Sequence, residues 1–321
     1  ARDAAVQAMP PALVTIAAFV LPEVAMSSPI PVQPGVLAPI PPLARHLFFS
    51  LESVEALPQA LDALATQVDG GHCVAGLGIS LLQALDAKVD GLKAFPALSG
   101  AGVDVPSTQH ALWCWLRGED RGELLHRGRA LQAALAPALR LVQATDAFRY
   151  RSGHDLTGYE DGTENPEGEE AVAAACATDA PDGLQGGSFA AIQHWLHDLA
   201  GFETLPEAEQ DDIVGRRKSD NEELDDAPES AHVKRTAQES FEPEAFVLRR
   251  SMPWADEQGA GLVFLAFGHS LDAFEAQMRR MAGLEDGIVD ALFRFSRPLT
   301  GGYYWCPPVC EGHLDLRAVL R

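Results

Sequence analysis

Basic residues are scarce in this chain, where 24 Lys and Arg stand against 46 Asp and Glu and leave a formal charge of -22 at pH 7. Phosphate backbones are neutralised by Lys and Arg, so this balance argues against sequence-independent binding of nucleic acid. An anionic membrane surface repels such a chain as well. Cysteine is sparse too: five in 321 residues form no even, dense framework, which fits a reducing cytoplasm better than secretion. Cys306 and Cys310, in Cys-Pro-Pro-Val-Cys, read as buried thiols. Long apolar runs are missing. The longest, residues 12–21, is interrupted by Thr15 and closed by Pro22, short of the roughly 20 residues that cross a bilayer. Asp3 directly after Arg2 makes a poor start for a signal peptide, so residues 1–30 are expected as an N-terminal extension and no membrane association is expected.

What is present is ordinary for a globular protein: 47% hydrophobic and 22% charged residues exclude global disorder. The length suggests two domains. After a proline-rich segment, strand patterns at 46–51, 73–79, 111–116 and 141–150 alternate with helical spacing at 54–68 and 119–139, giving β-α-β-β-α-β. The order returns in the second half, with strands at 188–196, 246–252, 261–267 and 300–305 and helices at 206–214 and 271–281. Two split β-α-β units predict an α+β fold of duplicated ferredoxin-like domains, residues 31–150 and 151–321, each an antiparallel sheet with helices on one face. A ligand is expected between the halves. Residues 216–244 are too long for a simple connector, and loops of that length are commonly functional; this one carries His232.

The stretch Gly158-Tyr159-Glu160-Asp161-Gly162-Thr163-Glu164-Asn165-Pro166 holds one carboxylate between two glycines, which let the backbone approach a flat ligand. Taken alone it is an ordinary surface turn, as His232 alone is an ordinary surface histidine. Their company changes the reading. Arg249 ends Phe246-Val247-Leu248-Arg249 and Asp290 follows in Gly287-Ile288-Val289-Asp290, so one carboxylate and one guanidinium can share a pocket, and an imidazole and a second carboxylate can pair.

This constellation resembles the dye-decolorising peroxidases, most closely their B-type subgroup. The landmarks are Gln33-Pro34-Gly35, Trp115-Leu116-Arg117-Gly118-Glu119-Asp120-Arg121-Gly122, the Asp155 to Pro166 stretch, Gly215-Arg216-Arg217-Lys218, His232-Val233-Lys234-Arg235-Thr236 and Arg249-Arg250-Ser251-Met252-Pro253. The resemblance implies two ferredoxin-like halves with haem b in the second. It implies reduction of hydrogen peroxide via high-valent iron and one-electron oxidation of bulky aromatic donors such as dyes and phenolics. Carried over position by position, it makes His232 the proximal iron ligand, Asp290 its partner, Asp161 the distal acid-base residue and Arg249 the distal arginine. A carboxylate on Nδ1 of a ligating histidine fixes its tautomer and makes it more electron-donating, a positioned base carries the peroxide proton, and a fixed cation stabilises developing negative charge. Ser251 stands where B-type members commonly have asparagine. Gly162, Phe264 and Leu265 are expected against the haem, and Arg216 with Arg249 at its propionates. Surface electron transfer, which the family implies for bulky dyes, has Tyr150, Tyr159, Trp195, Tyr303, Tyr304 and Trp305 to draw on. A homo-oligomer is expected by the same resemblance. A non-catalytic haem-binding or haem-handling protein on the same fold stays open; it has no use for Asp161 and Arg249 above the iron.

Overall fold

The computed structural model describes residues 30–100 and 102–320; the expected N-terminal extension lies outside the described residues but for Ile30. Eight strands carry the architecture: β1 (Leu43–Leu51), β2 (Cys73–Leu77), β3 (Leu112–Gly118), β4 (Leu139–Phe148), β5 (Ser188–His197), β6 (Met252–Asp256), β7 (Gly259–Gly268) and β8 (Gly302–Cys306). Five helices matter below: α1 (Leu57–Gln67), α2 (Arg121–Leu135), α3 (Glu207–Val214), α4 (His232–Arg235) and α5 (Asp272–Met281). The sequence periods explain most of these bounds. α2, for example, starts where the Asp120 carboxylate accepts the Glu123 N–H at 2.8 Å, an N-cap that satisfies an otherwise unpaired donor.

The strands pair antiparallel in the order β5-β8-β2-β3-β1-β4-β6-β7, and β7 pairs back onto β5. Each half thus contributes its strands in the order second, third, first, fourth. The expectation of two separate sheets is corrected here, because β8 meets β2 at Trp305↔Leu77 and β4 meets β6 at Ala147↔Trp254, joining both halves into one closed, barrel-like sheet. Successive side chains on a strand point to opposite faces. One face of every strand therefore turns inward: Phe48, Val74, Trp113, Trp115, Ala147, Ile192, Trp254, Leu265, Phe267 and Tyr304 form one apolar cluster. The other face packs against the helices in a second cluster, with Leu47, Leu77, Leu112, Leu116, Trp195 and Tyr303 among its members.

Two further expectations change. Residues 246–252 are not one strand: Leu248–Arg249 and β6 both pair with β7, and between them the Arg250 N–H still donates to the Leu265 carbonyl at 2.8 Å, but the regular ladder is broken. Ser251 Oγ accepts the Leu265 N–H at 3.3 Å, bridging the gap. Cys306 is buried as expected, whereas Cys310 sits exposed in a short two-stranded ribbon near the C-terminal end of the described chain.

Candidate active site

Period-2 alternation on β5 and β7 leaves Gln193, Trp195 and His197, with Leu262 and Phe264, facing away from the barrel interior. Together with Phe274, Gln277, Met278 and Met281 of α5, and with Asp161, His232 and Arg249, they line a cavity of ≈ 880 Å³ of empty space, part of it open to solvent. An adjoining, more polar cavity shares those three residues and adds Gly162, Glu164, Arg216 and Glu223. One end of the site is thus an apolar slot and the other a charged opening. It lies on the outer face of the second half rather than between the halves.

His232 opens the single turn of α4, and that turn sits against the end of α3. Gly215, the left-handed cap of α3 at φ 91°, is required there twice over: side chains rarely adopt this φ, and a Cβ would lie 2.2 Å from Val233 Cγ2. The His232 Nδ1 stands 2.8 Å from Asp290 Oδ2. Asp290 is 1% exposed, and its Oδ1 accepts the Leu292 N–H at 2.8 Å. A carboxylate accepts only, so Nδ1 is assigned the proton. Nε2 then carries a bare lone pair, has no hydrogen-bond partner among the described residues, and belongs to a ring that lines both cavities.

Arg249 and Asp161 are brought together, with Nη1 3.9 Å from Oδ1, and this is the only ion pair of the Arg249 side chain among the described residues. Sequence reasoning missed the residue that holds them so. Asn165 Oδ1 accepts the Arg249 N–H at 2.7 Å and its Nδ2 donates to the Arg249 carbonyl at 3.1 Å, clamping the Asp161 loop to the Arg249 strand. Gly162, at φ 80°, lets the chain turn under that amide, where a Cβ would lie 2.7 Å from Asn165 Nδ2.

The remaining expected residues divide. Phe264 lines the slot. Leu265, its neighbour on β7, points into the barrel interior, and Ser251 is turned to the Leu265 amide rather than to either cavity. Arg216 reaches the polar cavity already committed to Glu164 at 2.5 Å and Glu223 at 3.5 Å. Arg250 lies on the other side from Arg249 and donates to the Leu37 carbonyl; burial pulls its guanidinium down to about 10. Of the oxidisable rings, Trp195 and Tyr159 line the slot, Tyr303, Tyr304 and Trp305 are buried elsewhere, and Tyr150 is half-buried. Tyr159 donates to Asp211 Oδ1 at 2.5 Å, and burial together with that carboxylate pushes its hydroxyl well above the usual range.

Also unforeseen is a buried chain in the slot wall. His197 Nε2 lies 3.1 Å from Asp155 Oδ2, and its Nδ1 lies 2.7 Å from Ser296 Oγ. Burial alone would raise the Asp155 carboxyl, but the hydrogen bonds from His197 and Thr157 outweigh it and hold the group below the ordinary range. The signal for this chain is the alternation that carries Trp195 to the slot, since it carries His197 with it. Gln193, fully buried beside them, has an amide nitrogen with no partner.

This geometry accords with the comparisons. Residues 152–311 match the family model described as Dyp-type peroxidase, C-terminal. A curated dye-decolorizing peroxidase of Mycolicibacterium paratuberculosis is 27% identical over 299 residues, 87% of this chain and 84% of that protein. Among solved structures, a single-residue variant of Rhodococcus jostii DypB in complex with heme has TM-score 0.75 and 28% identity, covering 85% of this chain and 95% of that one. The encapsulated DyP-type peroxidase from Mycobacterium smegmatis has TM-score 0.76 and 27% identity, covering 87% and 96%. The chain belongs to the dye-decolorising peroxidase family. It is a peroxidase, and its likeness to DypB fits the B-type subgroup.

Proposed function

We propose that this chain binds haem b in the slot and reduces hydrogen peroxide there, with His232 as proximal ligand, Asp161 as distal acid-base residue and Arg249 as distal cation. The observation that carries the reading is His232 itself: one ring nitrogen is committed to a buried carboxylate and the other is bare, in a cavity that also holds Asp161 and Arg249. The residues suit the group. The slot offers an apolar bed of Trp195, Leu262, Phe264, Met278 and Met281, and its mouth offers polar groups to an ionised edge.

Bound haem supplies iron redox chemistry for cleaving the peroxide O–O bond. The protein does the rest. Asp290 keeps the Nδ1 proton on His232, so that Nε2 donates its lone pair and the ring cannot turn away. Asp161 takes the proton from the inner peroxide oxygen on a carboxylate oxygen and returns it to the outer one. The Arg249 guanidinium holds positive charge beside the departing oxygen without reorganising, and the apolar wall keeps bulk water from competing. Arg216, neutralised by Glu164 and Glu223, serves the architecture of the polar mouth. Ser251 takes no part in this scheme, because its hydroxyl serves the strand. Replacing Asp161 or Arg249 by alanine is expected to slow the peroxide reaction, followed by stopped-flow absorbance, by about 10²-fold or more; if neither change slows it, the distal assignment falls.

The electrons come from bulky aromatic donors, dyes or phenolics, in one-electron steps. We further read the two four-strand halves, residues 31–150 and 151–321, as diverged copies of one split β-α-β unit, a reading supported by their common strand order. A cytoplasmic homo-oligomer is the assembly proposed, and no helix among the described residues is long and apolar enough to cross a membrane.

A further inference from the structure

Methionine is scarce in this chain, five in 321 residues, and Met9 and Met26 lie outside the described residues. Of the others, Met278 and Met281 line the slot, whereas Met252 belongs to the barrel interior. Both slot methionines sit on one face of α5, where residues 274, 277, 278 and 281 follow the i, i+3, i+4 spacing of a helix stripe. Two contacts hold that face toward the sheet: Gln277 Nε2 donates to the Ala245 carbonyl at 2.7 Å, and Phe274 meets Phe264 of β7 with ring centroids 5.8 Å apart. Met278 is 3% exposed and Met281 6%, so oxidant in bulk solvent reaches little of either. They share their cavity with His232, Asp161 and Arg249.

We propose that Met278 and Met281 are a self-modification site: when no donor is at hand, peroxide reduced in the slot oxidises their thioethers to sulfoxides, and the altered wall releases haem. This rests on the peroxidase reading above and names how the same site is shut down. The step balances as R–S–CH3 + H2O2 → R–S(O)–CH3 + H2O. The peroxide O–O bond breaks and an S–O bond forms. Sulfur gives up two electrons, the peroxide takes them, and both protons leave with the second oxygen as water. The residue type selects the reaction. A thioether is soft and polarisable, and it stands on α5 beside Phe274 and Gln277, which are far harder to oxidise; leucine fills a similar volume and is inert.

The consequence follows from what surrounds the sulfurs. Oxidation turns a flexible apolar side chain into a polar one, and a buried acceptor without a donor is costly. The neighbouring amide on α5 is already committed, because Gln277 donates to Ala245. Leu262, Phe264 and Leu292, which share the slot, offer no donor from their side chains. A sulfoxide there spoils the apolar bed on which haem rests. Loss of haem ends the reduction of peroxide, so exposure to peroxide without a donor limits itself. Methionine sulfoxide is reversible by thiol-dependent reductases, which makes the shutdown a switch rather than an end.

The test treats haem-loaded wild type with peroxide, with and without a phenol as donor, and reads each methionine by peptide mass spectrometry. Haem-free protein treated alike is the control, needed because Met278 also borders a small outer pocket beside Lys93 and Pro96. Without donor, Met278 and Met281 of the haem-loaded protein are expected to gain one oxygen each, about tenfold more than Met252 or the haem-free control, and the phenol suppresses the gain. No gain at either residue, an equal gain in the haem-free protein or at Met252, or oxidation confined to Trp195 and Tyr159 overturns the proposal. Haem transfer to apomyoglobin is then compared before and after peroxide. It is expected to quicken about tenfold in wild type and not to quicken in the double variant Met278→Leu, Met281→Leu, whose volume is nearly conserved. An equal quickening in the variant, or none in wild type, overturns the link to haem release. A wild type that consumes no peroxide even with donor overturns the peroxidase reading and this proposal together, whereas normal consumption with both methionines intact sinks this proposal alone.

Discussion

His232 shows how much of a residue's role is assigned by its neighbour. Imidazole has two nitrogens of similar basicity, and only the buried Asp290 carboxylate at 2.8 Å distinguishes them. Asp290→Asn keeps the shape but removes a strong acceptor, and is expected to weaken haem retention about 10- to 100-fold, measured as the rate of haem transfer to apomyoglobin; a rate equal to wild type would contradict the pairing. That His232 meets Asp290 and Asp161 meets Arg249 was legible in the sequence, because all four sit in ordered motifs, where each occurrence constrains the next. Ser251 was not. Its place beside Arg249 suggested a distal hydroxyl, but the break in the ladder at 250–251 calls the side chain to the Leu265 amide instead, and a break between two short strands leaves no mark in the hydrophobic pattern.

At the scale of elements, the site depends on two junctions. One joins α3 to α4 through Gly215, the other joins the Asp161 loop to the Arg249 strand through the Asn165 amide. Asn165→Ala leaves the Arg249 N–H without its side-chain partner in a partly buried place, which costs about 1–3 kcal/mol, while the Arg249 carbonyl keeps the Arg250 Nη1–H. It is expected to lower the urea midpoint accordingly and to slow the peroxide reaction while leaving the haem absorption of the His232 side intact. Full peroxide reactivity in a folded Asn165→Ala protein would show that the clamp does not position the pair. The same scale explains Phe264 and Leu265. Alternation alone told that they face opposite ways, but which of the two meets the slot depends on the sheet closing, and closure depends on strands far apart in the chain. His197 and Gln193 stayed hidden for that reason too.

Across the whole molecule, the element order was readable from periodicity, whereas the seams were not: β8 meets β2 and β4 meets β6 through single register pairs between distant strands, contacts that no local pattern announces. The closed sheet buries His46 and His194, whose imidazoles are pulled by burial from 6.5 down to about 3 and about 4. Such groups stay neutral when folded but take up protons when unfolded, so they are silent at neutral pH and cost stability as pH falls below 6.5. Each steepens the loss by up to about 1.4 kcal/mol per pH unit until its folded value is reached. His46→Phe is therefore expected to flatten the fall of urea-determined stability between about pH 6.5 and about pH 3; an unchanged slope would contradict it. The whole account turns on the bare Nε2 of His232, and the most direct measurement is the absorption spectrum of haem-reconstituted wild type beside His232→Ala, normalised to protein. The account predicts a haem Soret band in the wild type that is lost or strongly displaced in His232→Ala. An unaltered band in a folded His232→Ala protein would contradict it.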